Sequence, residues 1–150
     1  MKSSIKIPRG LLNLDKSVKK AVKNGIDECT DDLLRVASLR TPVDSTTLEK
    51  SGTSKVDDSG NKIVGEVSFQ AINNGYNYAL KMDRGNYKLG KKSLSKSSRG
   101  VRSKFTKEAL RVGSGYLTDT AEKCAEGYTN HVNFKIYEAI AKDGFNVFKK

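Results

Sequence analysis

From Leu11 to Arg40 the apolar or small residues Leu11, Leu14, Val18, Val22, Ile26, Cys29, Leu33, Val36 and Ala37 recur at steps of three and four. That period predicts one long amphipathic helix over about 11–40. Its outer face carries Lys16, Lys19, Lys20 and Lys23, then Asp27, Glu28, Asp31 and Asp32, so the basic half precedes the acidic half. This order opposes the helix dipole, and such a helix relies on tertiary or intersubunit packing unless Asn24-Gly25 breaks it in two. The helix must stop near Arg40, because Pro42 lacks an N–H and pushes Thr41 out of the α region. Beyond it, Asp44 is placed to close an Asx-turn. Thr46 and Glu49 have capping-box spacing for one short helical turn that points Leu48 inward.

The period then changes. In the run from Lys62 to Ala71, Ile63, Gly65, Val67, Phe69 and Ala71 alternate with Val64, Glu66, Ser68 and Gln70. With Ser51–Asp57 across the turn Asp58-Ser59-Gly60-Asn61, this predicts a β-hairpin. Asn73-Asn74-Gly75 makes a further turn, and the aromatic, apolar stretch Tyr76–Met82 reads as a third strand. The result is a small antiparallel sheet over about 51–82. Past Gly113-Ser114-Gly115, helical spacing returns at Leu117, Ala121, Cys124, Tyr128, Val132, Ile136 and Ala139, predicting a second long helix over about 115–142. Gly144 is read as its end, leaving Phe145, Val147 and Phe148 as a short tail that forms a strand or a docking segment. No internal repeat is present. The fold class is therefore α+β, two long helices on a small antiparallel sheet, in a single domain over 1–150.

Between sheet and second helix the chain has a different character. From about 84 to 107 it holds Lys88, Lys91, Lys92, Lys96, Arg99, Arg102, Lys104 and Lys107 among Ser and Gly, and from Lys88 onward it has no acidic residue. Such a stretch repels itself and buries little, which predicts a long basic mobile loop that an anionic partner orders. Phe105, Ala109 and Leu110 are placed to rejoin the core.

Charge sharpens this picture. The 150 residues hold 28 Lys and Arg against 17 Asp and Glu, a formal charge of +11. An anionic partner follows in general terms: nucleic acid, an acidic protein surface or a membrane surface. No apolar run approaches the roughly 20 residues that span a bilayer. The start, Met-Lys-Ser-Ser-Ile-Lys-Ile-Pro, lacks the apolar core of a secretory signal, so a cytoplasmic setting is expected. Cys29 and Cys124 fall on the apolar spacing of the two helices, as packed, unbonded thiols do.

Chemistry is sparse. His131 is the only histidine and no nucleophile elbow surrounds any serine, so no triad can be assembled. His131 reads as a partly buried, hydrogen-bonded helix residue. Two cysteines and one histidine fall short of a zinc site, and Gly113-Ser114-Gly115 lacks the Lys and Ser/Thr of a phosphate loop. Glu28, Asp31 and Asp32 have the spacing to share one helix face, which reads as solvated. Neither enzymatic activity nor a cofactor or metal is expected. The basic stretch is the one feature with binding chemistry, since its cations can displace counterions from a phosphate backbone. Lys88, Lys91, Lys92, Lys96, Arg99, Arg102 and Lys104 are the candidate contacts, to DNA or to a neighbouring subunit.

The succession of elements resembles the phage head-to-tail joining proteins, the neck or tail-completion components of tailed bacteriophages and prophages, often labelled minor capsid or minor tail proteins. Their Pro-Val-Asp-Thr-Gly corner with following Leu and Ser is matched by Pro42, Val43, Asp44, Leu48 and Ser51, with Ser45 and Thr46 standing where Thr and Gly are usual. Their Tyr-Ala pair followed by an acidic residue and Gly is matched by Tyr78, Ala79, Asp83 and Gly85, with Asn86 in place of Thr. An aromatic-Leu pair opening the last helix is matched by Tyr116 and Leu117, without the customary Pro before them. The resemblance implies a virion component, assembled in the bacterial cytoplasm, that forms a homo-oligomeric ring between the connector or head-closure protein and the tail-tube protein and lets DNA pass. It implies no membrane contact. The alternative reading is a non-sequence-specific nucleic-acid-binding module that uses the 88–107 stretch.

Overall fold

The computed structural model describes residues 1–6, 16–43, 46–60 and 62–148, with side chains described through 142. Leu11, Leu14, Asp44 and Ser45 lie outside the described residues. Helix α1 (Lys16–Arg40) and helix α5 (Thr118–Phe148) pack antiparallel, so Arg40 meets Thr120, Asp32 meets Tyr128 and Glu28 meets His131. The short helices α2 (Thr46–Lys50), α3 (Ala79–Arg84) and α4 (Lys91–Ser97) lie between them in the chain. The apolar face read from the spacing is the face that is buried: Val22, Ile26, Cys29, Leu33, Val36 and Ala37 from α1 meet Cys124, Tyr128, Val132 and Ile136 from α5. Asn24-Gly25 does not break α1. A Cβ on Gly25 would lie 3.3 Å from Val132, so the glycine leaves room for a close approach of α5 at that point.

The sheet has the order β1-β3-β2, all antiparallel, from β1 (Lys2–Lys6), β2 (Gly52–Asp57) and β3 (Val64–Phe69). The β2–β3 hairpin matches its sequence pattern, and Gly65, Val67 and Phe69 turn inward on the central strand. Gly65 lies directly under α1: a Cβ there would overlap the hydroxyl of Thr30, which is itself tied to the Ile26 carbonyl at 2.7 Å. A side chain at this position would push the helix off the sheet.

Two expectations are corrected. The third strand is not Tyr76–Met82 but β1, from the start of the chain. Tyr76 does begin a strand, β5 (Tyr76–Asn77), which pairs with β4 (Ile72–Asn73) around Asn74 and Gly75, at φ 49° and 78°. Both turn residues are left-handed, the geometry that tight hairpins demand. The strand ends because Asn77 Oδ1 accepts from the amides of both Ala71 and Ala79, replacing the ladder and starting α3. The second correction concerns the end of α5: Gly144 does not stop the helix, and the tail expected to be a strand or docking segment continues it to Phe148. One helical glycine costs only about 1 kcal/mol and no proline follows.

The basic stretch occupies the expected place and holds more regular structure than its composition suggests. It contains α4 and then β6 (Val101–Arg102), which pairs with β7 (Ala109–Leu110). Val101, Ser103 and Leu110 are buried, and Phe105 packs edge-on against Tyr128. Cys29 and Cys124 are both buried and free. Burial, with Asp32 and Glu28 near, pushes the Cys29 thiol up to about 12.

Candidate functional site

The residues of the resemblance come together as a joint in the fold. Asp83, at the end of α3, is 1% exposed. Its Oδ1 accepts from the amides of Leu117 at 2.8 Å and Thr118 at 3.3 Å, and its Oδ2 from the Thr118 hydroxyl at 2.7 Å. It thus caps the first turn of α5 from 34 residues away. Its backbone carbonyl accepts from Gly115 at 2.6 Å and from the Ser114 hydroxyl at 2.9 Å. Tyr116 is fully buried, donates its hydroxyl to the Ala79 carbonyl at 3.1 Å and packs edge-on against Phe69. Tyr78 donates its amide to Ala71, and the Gly85 amide closes α3 on the Lys81 carbonyl at 2.8 Å.

From the other side, Arg40 grips the same loop. It is 3% exposed and donates to the carbonyls of Arg111 and Gly115, to the Thr120 hydroxyl and to Asp119 Oδ2 at 2.9 Å. Its own carbonyl accepts from Gly113 at 2.9 Å. In the sequence Arg40 marks only the point where α1 stops. Its spacing held a further signal, because Leu33, Val36, Ala37 and Arg40 share one helix face and a cation there must be paired.

The corner after α1 is held by the basic stretch. Pro42 is buried, the Val43 amide donates to Ser93 Oγ at 2.8 Å, and Leu48 is 2% exposed. Ser51 closes α2 onto the Leu48 carbonyl through both amide and hydroxyl. Lys96 reaches back to the carbonyls of Thr41 at 3.2 Å and Ser38 at 3.5 Å and to Glu49 at 3.0 Å. It serves the end of α1 and is not a free contact residue.

A second anchor is Asp32, which the sequence placed on a solvated face with Glu28 and Asp31. That placement is corrected. Asp32 is 3% exposed and accepts from Ser103 at 2.5 Å, Arg35 at 2.7 Å, Tyr128 at 3.1 Å and the Lys104 amide at 3.2 Å. Burial and this carboxylate push the Tyr128 phenol far up. Glu28 instead pairs with His131 and Lys135, and Asp31 accepts from Ser54, so the three carboxylates do not form one site. His131 lies between Glu28 and the Phe105 ring, half-buried as its spacing suggests.

What remains of the basic stretch is a surface. Lys88, Lys91, Lys92, Arg99, Arg102 and Lys104 are exposed and make no ion pair among the described residues. Leu94, 56% exposed, stands among them on α4. A fixed backbone carrying unpaired cations around one apolar side chain can meet an acidic surface with little ordering cost. Among the described residues no cluster of His, Cys, Asp and Glu could hold a metal ion, and no helix is long and apolar enough to cross a membrane. Compared with known proteins, the chain matches no family model, no curated protein and no solved structure.

Proposed function

We propose that this chain is a structural component of a tailed-phage or prophage particle, a head-to-tail joining or tail-completion subunit that forms a ring around the DNA channel. The observation that carries this reading is the joint: two motifs of the resemblance, Tyr78-Ala79 with Asp83 and Tyr116-Leu117, meet in direct hydrogen bonds. The third, the corner at Pro42 and Val43, follows Arg40, which grips the same loop. Residues far apart in sequence therefore act as one architectural unit, as a family signature for a fold should.

Two separate apolar patches support self-association. Ile72, Tyr76 and Leu80, in and after the β4–β5 hairpin, are 55%, 60% and 42% exposed. Phe134, Tyr137 and Ile140, on the α5 face turned from α1, are 58%, 73% and 50% exposed. Different patches on one chain make head-to-tail contacts, which close into rings when the rotation allows. The 88–104 surface, with Leu94 at its centre, suits a neighbouring subunit or an adjoining particle protein.

The test is disruption of the gene in the producing host, followed by electron microscopy of the lysate. Filled heads and tails that fail to join, restored by the intact gene, are the expected result. Normal particles would end this reading. The alternative, a nucleic-acid-binding module outside any particle, is favoured by the unpaired cations, and it predicts DNA affinity that falls steeply with salt.

A further inference from the structure

The start of α1 carries a basic surface separate from the 88–104 stretch. Helix α4 of that stretch meets the other end of α1, where Lys96 reaches Ser38, about 29 Å along the axis from Lys19 at 1.5 Å per residue. Lys16, Lys19, Lys20 and Lys23 stand at i, i+3, i+4 and i+7, a row about 10 Å long on one helix face. With Asp58 and Ile63 they line a single cleft of about 250 Å³. Among the described residues Asp58 is the one carboxylate that lines it. It pairs with Lys23 at 3.0 Å, and that hydrogen bond, with Lys19 adding its charge, holds the Asp58 carboxyl below the usual range.

Lys20 also lines the adjoining groove of about 280 Å³ between α1 and α5, with Lys135, Lys142 and Glu138. Lys135 is occupied by Glu28 at 3.0 Å. Lys16, Lys19, Lys20 and Lys142 are exposed and make no ion pair among the described residues. The row is unfavourable for the helix that bears it. Lys16 with Lys20 and Lys19 with Lys23 are like-charge pairs one turn apart, and no acidic residue offsets them in the first described turn.

We infer that the Lys16–Lys23 face of α1, flanked by Lys142 of α5, binds the phosphate backbone of duplex DNA. A phosphate backbone asks only for cations, whereas a protein interface needs an apolar centre. No large apolar side chain is exposed between Lys16 and Asn24, in contrast to Leu94 amid the 88–104 cations. The two basic surfaces therefore differ in partner: the α1 row suits DNA and the α4 surface suits protein. This assignment does not depend on the head-to-tail role.

The test uses the full chain and a fluorescently labelled duplex of mixed sequence, titrated across a salt series. In the K16Q/K19Q/K20Q variant the slope of log affinity against log salt becomes shallower by about 2 to 3, near 0.9 per lost phosphate contact. K91Q/K92Q/R99Q leaves the slope as in the parent. Glutamine is a good helix former and all six positions are exposed, so unchanged circular dichroism is expected for both variants. Equal slopes for the parent and the α1 variant would overturn the inference. So would a loss confined to the α4 variant, the absence of duplex binding at about 50 mM salt, or equally tight binding of polyglutamate.

Discussion

The amide of Leu117 donates to Asp83 Oδ1 at 2.8 Å, so a carboxylate on the short helix α3 caps the long helix α5, which begins 35 residues later. A cap supplied from a distance links the start of α5 to the end of α3. Replacing Asp83 with Ala orphans two amides and the Thr118 hydroxyl in a buried place. A loss of about 2 to 4 kcal/mol in urea unfolding is expected, and a loss under 0.5 kcal/mol would show that the joint closes without it.

Lys96 separates an architectural lysine from its exposed neighbours. K96M removes the donor to Thr41, Ser38 and Glu49 and should cost about 1 to 2 kcal/mol. K91M should change stability by about 0.5 kcal/mol or less. Hydrogen exchange at the corner should quicken in K96M alone. This pair of variants also frees any assembly assay of the basic surface from a folding defect, which a triple replacement including Lys96 would carry.

Alkaline pH should unfold the protein through its buried acids. Burial raises the Cys29 thiol from 9.0 to about 12 and shifts Tyr128 and Tyr116 upward as well. A group whose folded pKa is raised gives its full stabilisation below the unfolded value, and that stabilisation is lost as pH climbs toward the folded value. Stability should hold to about pH 9 and fall between 9 and 12. Chemical unfolding at stepped pH measures it; a midpoint constant to pH 11 would contradict the burial of these groups. Cys29 should likewise resist alkylation at neutral pH until denaturant is added.

Gly127 lies where the basic stretch crosses α5, and a Cβ there would overlap the Phe105 carbonyl and the Thr106 methyl. Ala normally favours a helix by about 1 kcal/mol over Gly. G127A should reverse that sign, costing about 1 to 3 kcal/mol and dulling the Phe105–Tyr128 contact. Thermal unfolding decides it, a raised Tm being the contrary outcome.

Tyr137 and Ile140 test self-association. Replacing both with Ser should leave the fold intact, since the two residues are 73% and 50% exposed. Any concentration-dependent oligomer seen by sedimentation velocity should shift toward monomer. An unchanged distribution would remove this face of α5 from the subunit contact.

The periodic parts of the chain were legible, because one face of α1 and α5 and alternate residues of β3 are buried where the spacing put them. The short helical turn that buries Leu48 and the turn at Asn74-Gly75 were equally readable, whereas Glu49, expected to close a capping box with Thr46, pairs with Lys96 instead. What spacing could not show was which polar residue faces inward. Asp32 sits beside Asp31 and Arg40 next to Thr41, and only the partners Ser103, Tyr128, Asp119 and Thr120 explain their burial. The third strand escaped for a similar reason: Lys2–Lys6 carries one apolar residue, Ile5, and is a strand because β3 offers it an edge. The basic stretch looked unable to order itself, but its order comes from Ser93, Lys96, Val101 and Ser103 rather than from bulk hydrophobicity.

The antiparallel pairing of α1 with α5 also sets a timetable for synthesis. Arg40 and its partner Thr120 are 80 residues apart, so the apolar side of α1 leaves the ribosome long before its cover exists. At roughly 5 to 20 residues per second, that face stays open for about 4 to 16 seconds. A chain interrupted before Tyr116 would carry a finished sheet and a sticky helix with no α5 to cover it, a natural client for holding chaperones and a seed for inclusion bodies.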